Sequence, residues 1–596
     1  MPSRIEDYAL LGDCETAALV SKAGSIDWLC WPRFDSSACF AALLGNDDHG
    51  CWRIAPVDGQ FVQRAYRPGT LILDTEFSTA TGRVRITDFM PLRDEHSHLI
   101  RLVEGLEGEV EMELLLRLRF DMGLTVPWVR QLPEADGIHA VAGPDMVVLR
   151  TPIELDGVDL STVARFKVSA GQVVPFTLSY GPSHLDVPPG IDVNHALAHC
   201  EQEWRQWSDR CLHVGPFAET VKRSLITLKA LTYAPTGAII AAATTSLPEA
   251  LGGVRNWDYR FCWLRDATLT VMTLLRAGYV EEAAAWRSWL VRAVAGTADQ
   301  IQIMYGIAGE RMLDEKEIPW LPGYANSAPV RIGNQAATQL QLDTYGELMD
   351  ALYQARRGGL AADDDAWSLQ CNLLERLERI WQQPDEGIWE VRGGAQQFTS
   401  SKMMAWVAVD RCIKTAEQFD MKGPVEHWKQ LRDQMHADVC AQGFNAELNS
   451  FVQVYGGDQL DASLLGLALV GFLPPDDPRI IGTVAAVEKY LLQDGLVLRY
   501  RTAESRDGLP PGEGAFLACS FWLADNWVLQ GRMEEASALY EHLLSLRNDL
   551  GLLSEEYDPV GKQMLGNFPQ AFSHMSIVFT AYGLTGDGPM VGERAS

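Results

Sequence analysis

The sequence predicts an α+β multidomain protein, an N-terminal antiparallel β-sandwich followed by a large helical domain. Three observations carry this. Apolar residues recur every second position up to about residue 190, a Pro/Gly segment then breaks the pattern, and helical spacing takes over to the end of the chain.

The clearest strand runs through Val110, Met112, Leu114, Leu116, Leu118 and Phe120, interleaved with Glu109, Glu111, Glu113, Arg117 and Arg119, with Leu115 as the one exception. A period of two places one face in a core and the other in water. Val84 with Ile86, and Phe176 with Leu178 and Tyr180, repeat the pattern in shorter form. Many short strands with Gly and Pro between them point to a sandwich over residues 1–190. Asp186-Val-Pro-Pro-Gly190 reads as the break. Leu197, Cys200, Trp204, Trp207 and Cys211 then fall on one helical face, which predicts a linker helix within 191–214.

Residues 215–596 form the expected second domain. Candidate helices include 217–233, 267–278, 282–294, 336–356, 401–419, 462–472, 515–530 and 569–583, among roughly eleven or twelve in all. That number fits six helical hairpins closed into a ring, and it fits an open solenoid equally well.

Composition narrows the function. A chain of 596 residues that is 47% hydrophobic and 22% charged has material for large cores. Its net charge of −29 argues against nucleic acid or an anionic membrane as partner, because both are held by basic surface. A neutral small molecule is indifferent to that field. Eleven scattered cysteines, never spaced as CxxC, suggest neither a disulfide framework nor a zinc site. The N-terminus has no basic head followed by an apolar stretch, and the longest apolar run, Leu464–Leu473, is too short for a bilayer. The expectation is a cytoplasmic protein, with exposed apolar residues on the sandwich as the basis for a possible homodimer. Phosphate-loop, HExxH, GxSxG and GxGxxG patterns are absent, and twelve dispersed histidines make no metal centre, so no metal and no cofactor is expected.

Three loops combine acids, aromatics and Gly or Pro. Val254–Asp266 crowds Trp257, Tyr259, Trp263 and three arginines ahead of a helix, although Asp266 by itself also fits a helix N-cap. Pro384–Gly394 carries Glu390 directly after Trp389, whose ring would desolvate a carboxyl, and local pattern alone also fits an exposed strand. Leu552–Pro559 holds Glu555 and Glu556, a pair that usually marks a solvated loop. Two carboxyls and aromatic faces are what glycoside hydrolysis requires: one acid for the leaving oxygen, one base or nucleophile, and rings to stack on the sugar. Met403, Met404 and Trp406 read as core.

Several blocks in order resemble glycoside hydrolase family 15, the glucoamylase, glucodextranase and trehalase group. Gly24–Ser36 and Arg85–Pro91 look like the N-terminal domain of the bacterial trehalase-like branch, and Thr244–Glu249, Arg255–Asp266 and Glu513–Trp522 are similar to blocks of the helical half. The resemblance implies that the helical domain is an (α/α)6 barrel with its site at the mouth and inversion at the anomeric carbon. It implies Glu390 as general acid and Glu555 as general base, with Trp263, Arg265 and Asp266 holding the non-reducing glucose. Trp257, Trp389, Glu513 and Phe516 are expected around the same sugar site, and Tyr305–Glu310 with Trp320 and Tyr324 toward the aglycone. Many fungal members have a second acid after the first, where this chain has Val391. The expected activity is exo-acting hydrolysis of an α-glucoside or oligosaccharide releasing β-glucose, α,α-trehalose first and a glucoamylase or isomaltase action second. A sugar phosphorylase would need no base at 555, and a non-hydrolytic sugar-binding protein would need neither glutamate.

Overall fold

A computed structural model of the chain describes residues 2–132, 136–361, 363–504 and 507–586. Fifteen antiparallel strands between Tyr8 and Pro182 join into one continuous sheet that folds over on itself. The spine is Ser97–Arg117, a strand of 21 residues that belongs to both layers. Its first half pairs with Gly82–Phe89 and Val173–Pro182, its second with Cys51–Pro56 and Ser161–Ser169. The strand turns between layers at Gly105 and Gly108. Gly108 has φ +63°, and a Cβ on Gly105 would fall 2.2 Å from the Ser169 carbonyl, so glycine is what allows the crossing. The period-two pattern behaves as expected: Val110, Met112, Leu114 and Leu116 are buried, while Glu109 and Glu111 face water. Arg101 is enclosed between the layers, paired with Asp88 at 2.7 Å and donating to the carbonyls of Trp52 and Gly24. Every donor of that buried charge that points at the opposite layer finds an oxygen, which is the condition for tolerating it there.

After a one-turn segment, α1 (Phe120–Gly123), the first long helix is α2 (Val193–Ser208), capped by Asp192 and burying Cys200, Trp204 and Trp207. Twelve helices follow: α3 (Ala218–Ala230), α4 (Leu264–Arg276), α5 (Val280–Ala293), α6 (Asp343–Arg357), α7 (Asp364–Ile380), α8 (Thr399–Gln418), α9 (Val425–Gln442), α10 (Gly466–Leu469, preceded by the 3-10 turn Ala462–Leu465), α11 (Pro478–Tyr490), α12 (Leu517–Leu529), α13 (Met533–Ser545) and α14 (Ala571–Thr585). Packing resolves ring against solenoid. Helix α4 packs on α6, α6 on α8, α8 on α10, α10 on α12, α12 on α14, and α14 returns to α4. The outer helices α5, α9, α13 and α3 back α4, α8, α12 and α14, and α7 lies across α6 and α8. The result is a closed (α/α)6 barrel. Inner helices are apolar on most faces, as α14 shows, because they touch neighbours all round. The helix expected over 336–356 is interrupted: Gln335–Thr338 is a 3-10 turn, and α6 starts only at Asp343. Residues 587–596 of the expected barrel domain lie outside the described residues.

Candidate active site

The loops that enter inner helices α4, α8, α12 and α14 converge on one pocket. Trp263, Arg265 and Asp266 come from the start of α4, Trp389 and Glu390 from the loop before α8, Phe516 from the position before α12, and Gln570 with Phe572 from the start of α14. Helix N-termini bring partial positive charge to this end of the barrel, which suits a site built on carboxylates.

Glu390 sits in the left-handed region, φ +57°, in a turn where its N–H bonds the carbonyl of Gly387. Gly387 is itself at φ +69°, and a Cβ there would meet the Phe398 ring at 2.7 Å. The carboxylate accepts a 2.7 Å bond from the Trp263 indole and lies 3.7 Å from the Arg265 guanidinium. Arg265 also donates to the Ile388 carbonyl at 2.7 Å, so it fixes the turn as well as the charge. Burial raises the pKa of Glu390; Arg265 and the indole N–H work against the shift, and Asp266 and Asp343 add to it. The side chain keeps 18% of its exposure, which is the opening to the pocket. Trp389 was expected to desolvate this acid. Its indole instead donates to Asp461 at 2.9 Å and its ring packs on Phe516 and Trp522; the indole that touches Glu390 is that of Trp263.

Glu555 is 1% exposed. The Asn567 N–H donates to Oε2 at 3.2 Å, and Tyr259, a pocket-lining residue, lies beside the same carboxyl. Its Oε1 has no hydrogen-bond partner in the protein. Gly566, at φ +71°, brings its backbone so close that a Cβ would lie 2.5 Å from Glu555 Oε2. Burial, and after it the charge of Glu249, pushes Glu555 up to about 8, against Tyr259, Arg499 and the Asn567 N–H.

Glu249 lines the pocket beside this group, its two oxygens taken by the Trp257 indole at 3.0 Å and Arg499 at 2.9 Å. Arg499 also holds Glu513 at 2.6 Å and lies 3.7 Å from Glu556, while Arg255 binds Asp507 at 2.6 Å and reaches Glu513 at 3.5 Å. Four carboxyls thus share two guanidiniums, and burial raises Glu249 and Glu556 as it does Glu555. Glu249, Glu513 and Glu556 stand close enough together for a cation, but the guanidinium of Arg499 already fills that role.

Of the residues singled out from sequence, Trp257, Trp263, Arg265, Asp266, Trp389, Glu390 and Phe516 line the pocket. Glu555 stands behind Tyr259 as described, and Glu513 belongs to the arginine network. Trp257 carries the guanidinium of Arg392 at 4.2 Å and that of Arg331 at 4.7 Å over its ring, so part of its face is already covered. Of the segment expected toward the aglycone, Tyr305 pairs with Cys262 beside the pocket loop, whereas Glu310 pairs with Arg33, Trp320 donates to the Met122 carbonyl and Tyr324 to that of Ser3, all three partners in the N-terminal domain. Glu249, Tyr259, Arg392 and Arg499 were not singled out as site residues. Tyr259 and Glu249 stood inside blocks already marked as unusual, whereas Arg499 follows an ordinary Leu-Val-Leu run with no local signal.

A closed helical barrel with one partly exposed and one buried glutamate beside a pocket lined by aromatic rings is the arrangement of a glycoside hydrolase. Residues 215–582 match the family model of glycosyl hydrolases family 15, and residues 1–204 match the trehalase-like N-terminal domain. The chain belongs to glycosyl hydrolases family 15. It is 39% identical to a trehalase of Mycolicibacterium smegmatis, covering 96% of this chain and 90% of that protein. It is 35% identical to a trehalase of Thermoplasma acidophilum, covering 94% and 97% respectively. Among solved structures, a bacterial glucoamylase in complex with acarbose superimposes with a TM-score of 0.75 at 14% identity, over 100% of this chain and 96% of the other; this likeness concerns the fold.

Proposed function

We propose that this enzyme hydrolyses α,α-trehalose with inversion, Glu390 acting as general acid and Glu555 as general base. The observation that carries the substrate is that likeness to proteins named trehalase spans nearly the entire chain, N-terminal sheet included. The geometry supports the roles. Glu390 is a partly buried acid with raised proton affinity that opens on the pocket, and it gives its proton to the glycosidic oxygen. Glu555, once ionised, takes a proton from water; its unpartnered Oε1 is the oxygen free to do so. An inverting pair leaves room for that water when the carboxyls stand about 6.5–9.5 Å apart. Arg265 donates to and Asp266 accepts from hydroxyls of the glucose being cleaved, and Trp263 supplies an apolar face. We place the enzyme in the cytoplasm, in keeping with eleven unpaired thiols.

Initial rates of glucose release from trehalose, maltose and isomaltose test the substrate. Trehalose turns over fastest under this reading; cleavage of maltose with trehalose untouched refutes it. Phosphate-dependent formation of glucose 1-phosphate would instead identify a phosphorylase.

A further inference from the structure

The pocket loop 255–263 is extended, so its residues alternate in direction. Trp257, Tyr259 and Trp263 face the pocket, while Asp258 and Arg260 point away from it into a buried seam with the N-terminal sheet. Arg260 is 2% exposed. It clasps Asp258 with bonds of 2.9 and 2.7 Å and donates at 2.7 Å to the carbonyl of Ser36, on the far side of the domain boundary. Asp258 in turn accepts from the N–H of Gly333. A second link lies close by. Trp28 of the sheet domain donates its indole N–H to the carbonyl of Ala243 at 2.8 Å. The next residue, Thr244, bonds the side chain of Asn567 at 2.8 Å, and the N–H of Asn567 holds Glu555.

We infer that the N-terminal sheet domain is part of the catalytic apparatus, with Arg260 as a positioning residue that locks the pocket loop to Ser36 and so keeps Tyr259 and Trp263 against the two glutamates. The reasoning is mechanical and electrostatic. A guanidinium with its donors aimed at one carboxylate and one carbonyl admits a single arrangement, and lysine cannot reproduce the fork. Residues 259 and 260 share a peptide, so a shift of the backbone at Arg260 carries Tyr259, which lines the pocket beside Glu555, with it. Displacements of about 1 Å in such a site cost on the order of a hundredfold in rate.

The inference rests on the assignment of Glu390 and Glu555, and the experiment separates the two. Full-length Arg260→Lys, Trp28→Phe, Asp549→Asn and Glu390→Gln proteins are compared with the parent for Tm and for kcat, KM and pH–rate profile on trehalose. Asp549→Asn is the control for mere docking, because it removes another contact across the boundary, the pair with Arg64 at 2.7 Å, away from the pocket loop. We expect Arg260→Lys to lower kcat by at least about tenfold and to move the acid limb of kcat/KM upward, since Glu555 loses donors to its ionised form. Asp549→Asn lowers Tm only. Trp28→Phe keeps the ring and removes one N–H, and it carries the test should Arg260→Lys not fold; a several-fold drop in kcat with the same limb shift is expected. If Arg260→Lys, or Trp28→Phe in its place, changes Tm alone, as Asp549→Asn does, the inference is overturned. If Glu390→Gln stays active, the assignment of the glutamates fails instead.

Discussion

Trp263→Phe isolates one bond at the proposed acid. The indole N–H donates to Glu390 at 2.7 Å, and phenylalanine keeps an aromatic ring while removing the donor. A hydrogen bond to a charged group contributes about 1.5–3 kcal/mol, and 1.36 kcal/mol corresponds to one pH unit. Because Arg265 remains 3.7 Å away and the carboxyl is 18% exposed, we take the lower end, a rise of about one unit. The sign follows from which form the bond favours. The donor stabilises the ionised carboxylate, so its loss raises the pKa, and Glu390 must be protonated to act. The alkaline limb of kcat/KM on trehalose therefore moves to higher pH by about one unit. The assay is glucose release over a pH series with substrate well below KM, the variant and parent side by side. An unmoved limb, or one shifted to lower pH, refutes the assignment of Glu390 as the acid governed by this bond.

Other substitutions follow from the same geometry. Glu390→Gln and Glu555→Gln each lower kcat on the order of a thousandfold, with circular dichroism and Tm near those of the parent; a variant that keeps a tenth of the activity removes its residue from the mechanism. Gly566→Ala places a methyl 2.5 Å from Glu555 Oε2 at φ +71°, so kcat should fall about a hundredfold with KM much less changed. Glu249→Gln deletes the charge that raises Glu555, so the acid limb of kcat/KM moves to lower pH, read from the same pH series. A limb that rises in that variant contradicts the coupling between the two glutamates.

Much of the architecture was legible because it rests on local periodicity. The alternation at Val110–Leu116 and the spacing of Cys200, Trp204 and Trp207 report burial directly, and burial is what the sheet and helices are made to achieve. The closure of the ring was not legible, because α14 meets α4 across some 300 residues of chain and no local pattern encodes that contact. The site divides the same way. Loops with unusual density of Trp, Arg and acid were visible, and these loops do converge. Arg499 was invisible, since its importance lies in meeting Glu249, Glu513 and Glu556 from three other segments. The segment around Glu310, Trp320 and Tyr324 carries the same residue types as a sugar site, yet its polar atoms serve the seam with the N-terminal sheet. Composition signals an interface there without saying whether the partner is sugar or protein.

The proposed reaction is tested most directly by proton NMR of trehalose during the first minutes of turnover, before the anomers equilibrate. Inversion by Glu390 and Glu555 makes the attacked glucose appear as β and leaves the departing glucose as α, so the two anomers must form in equal amounts from the start. Initial release of α-glucose alone would mean retention and would contradict the roles given to both glutamates.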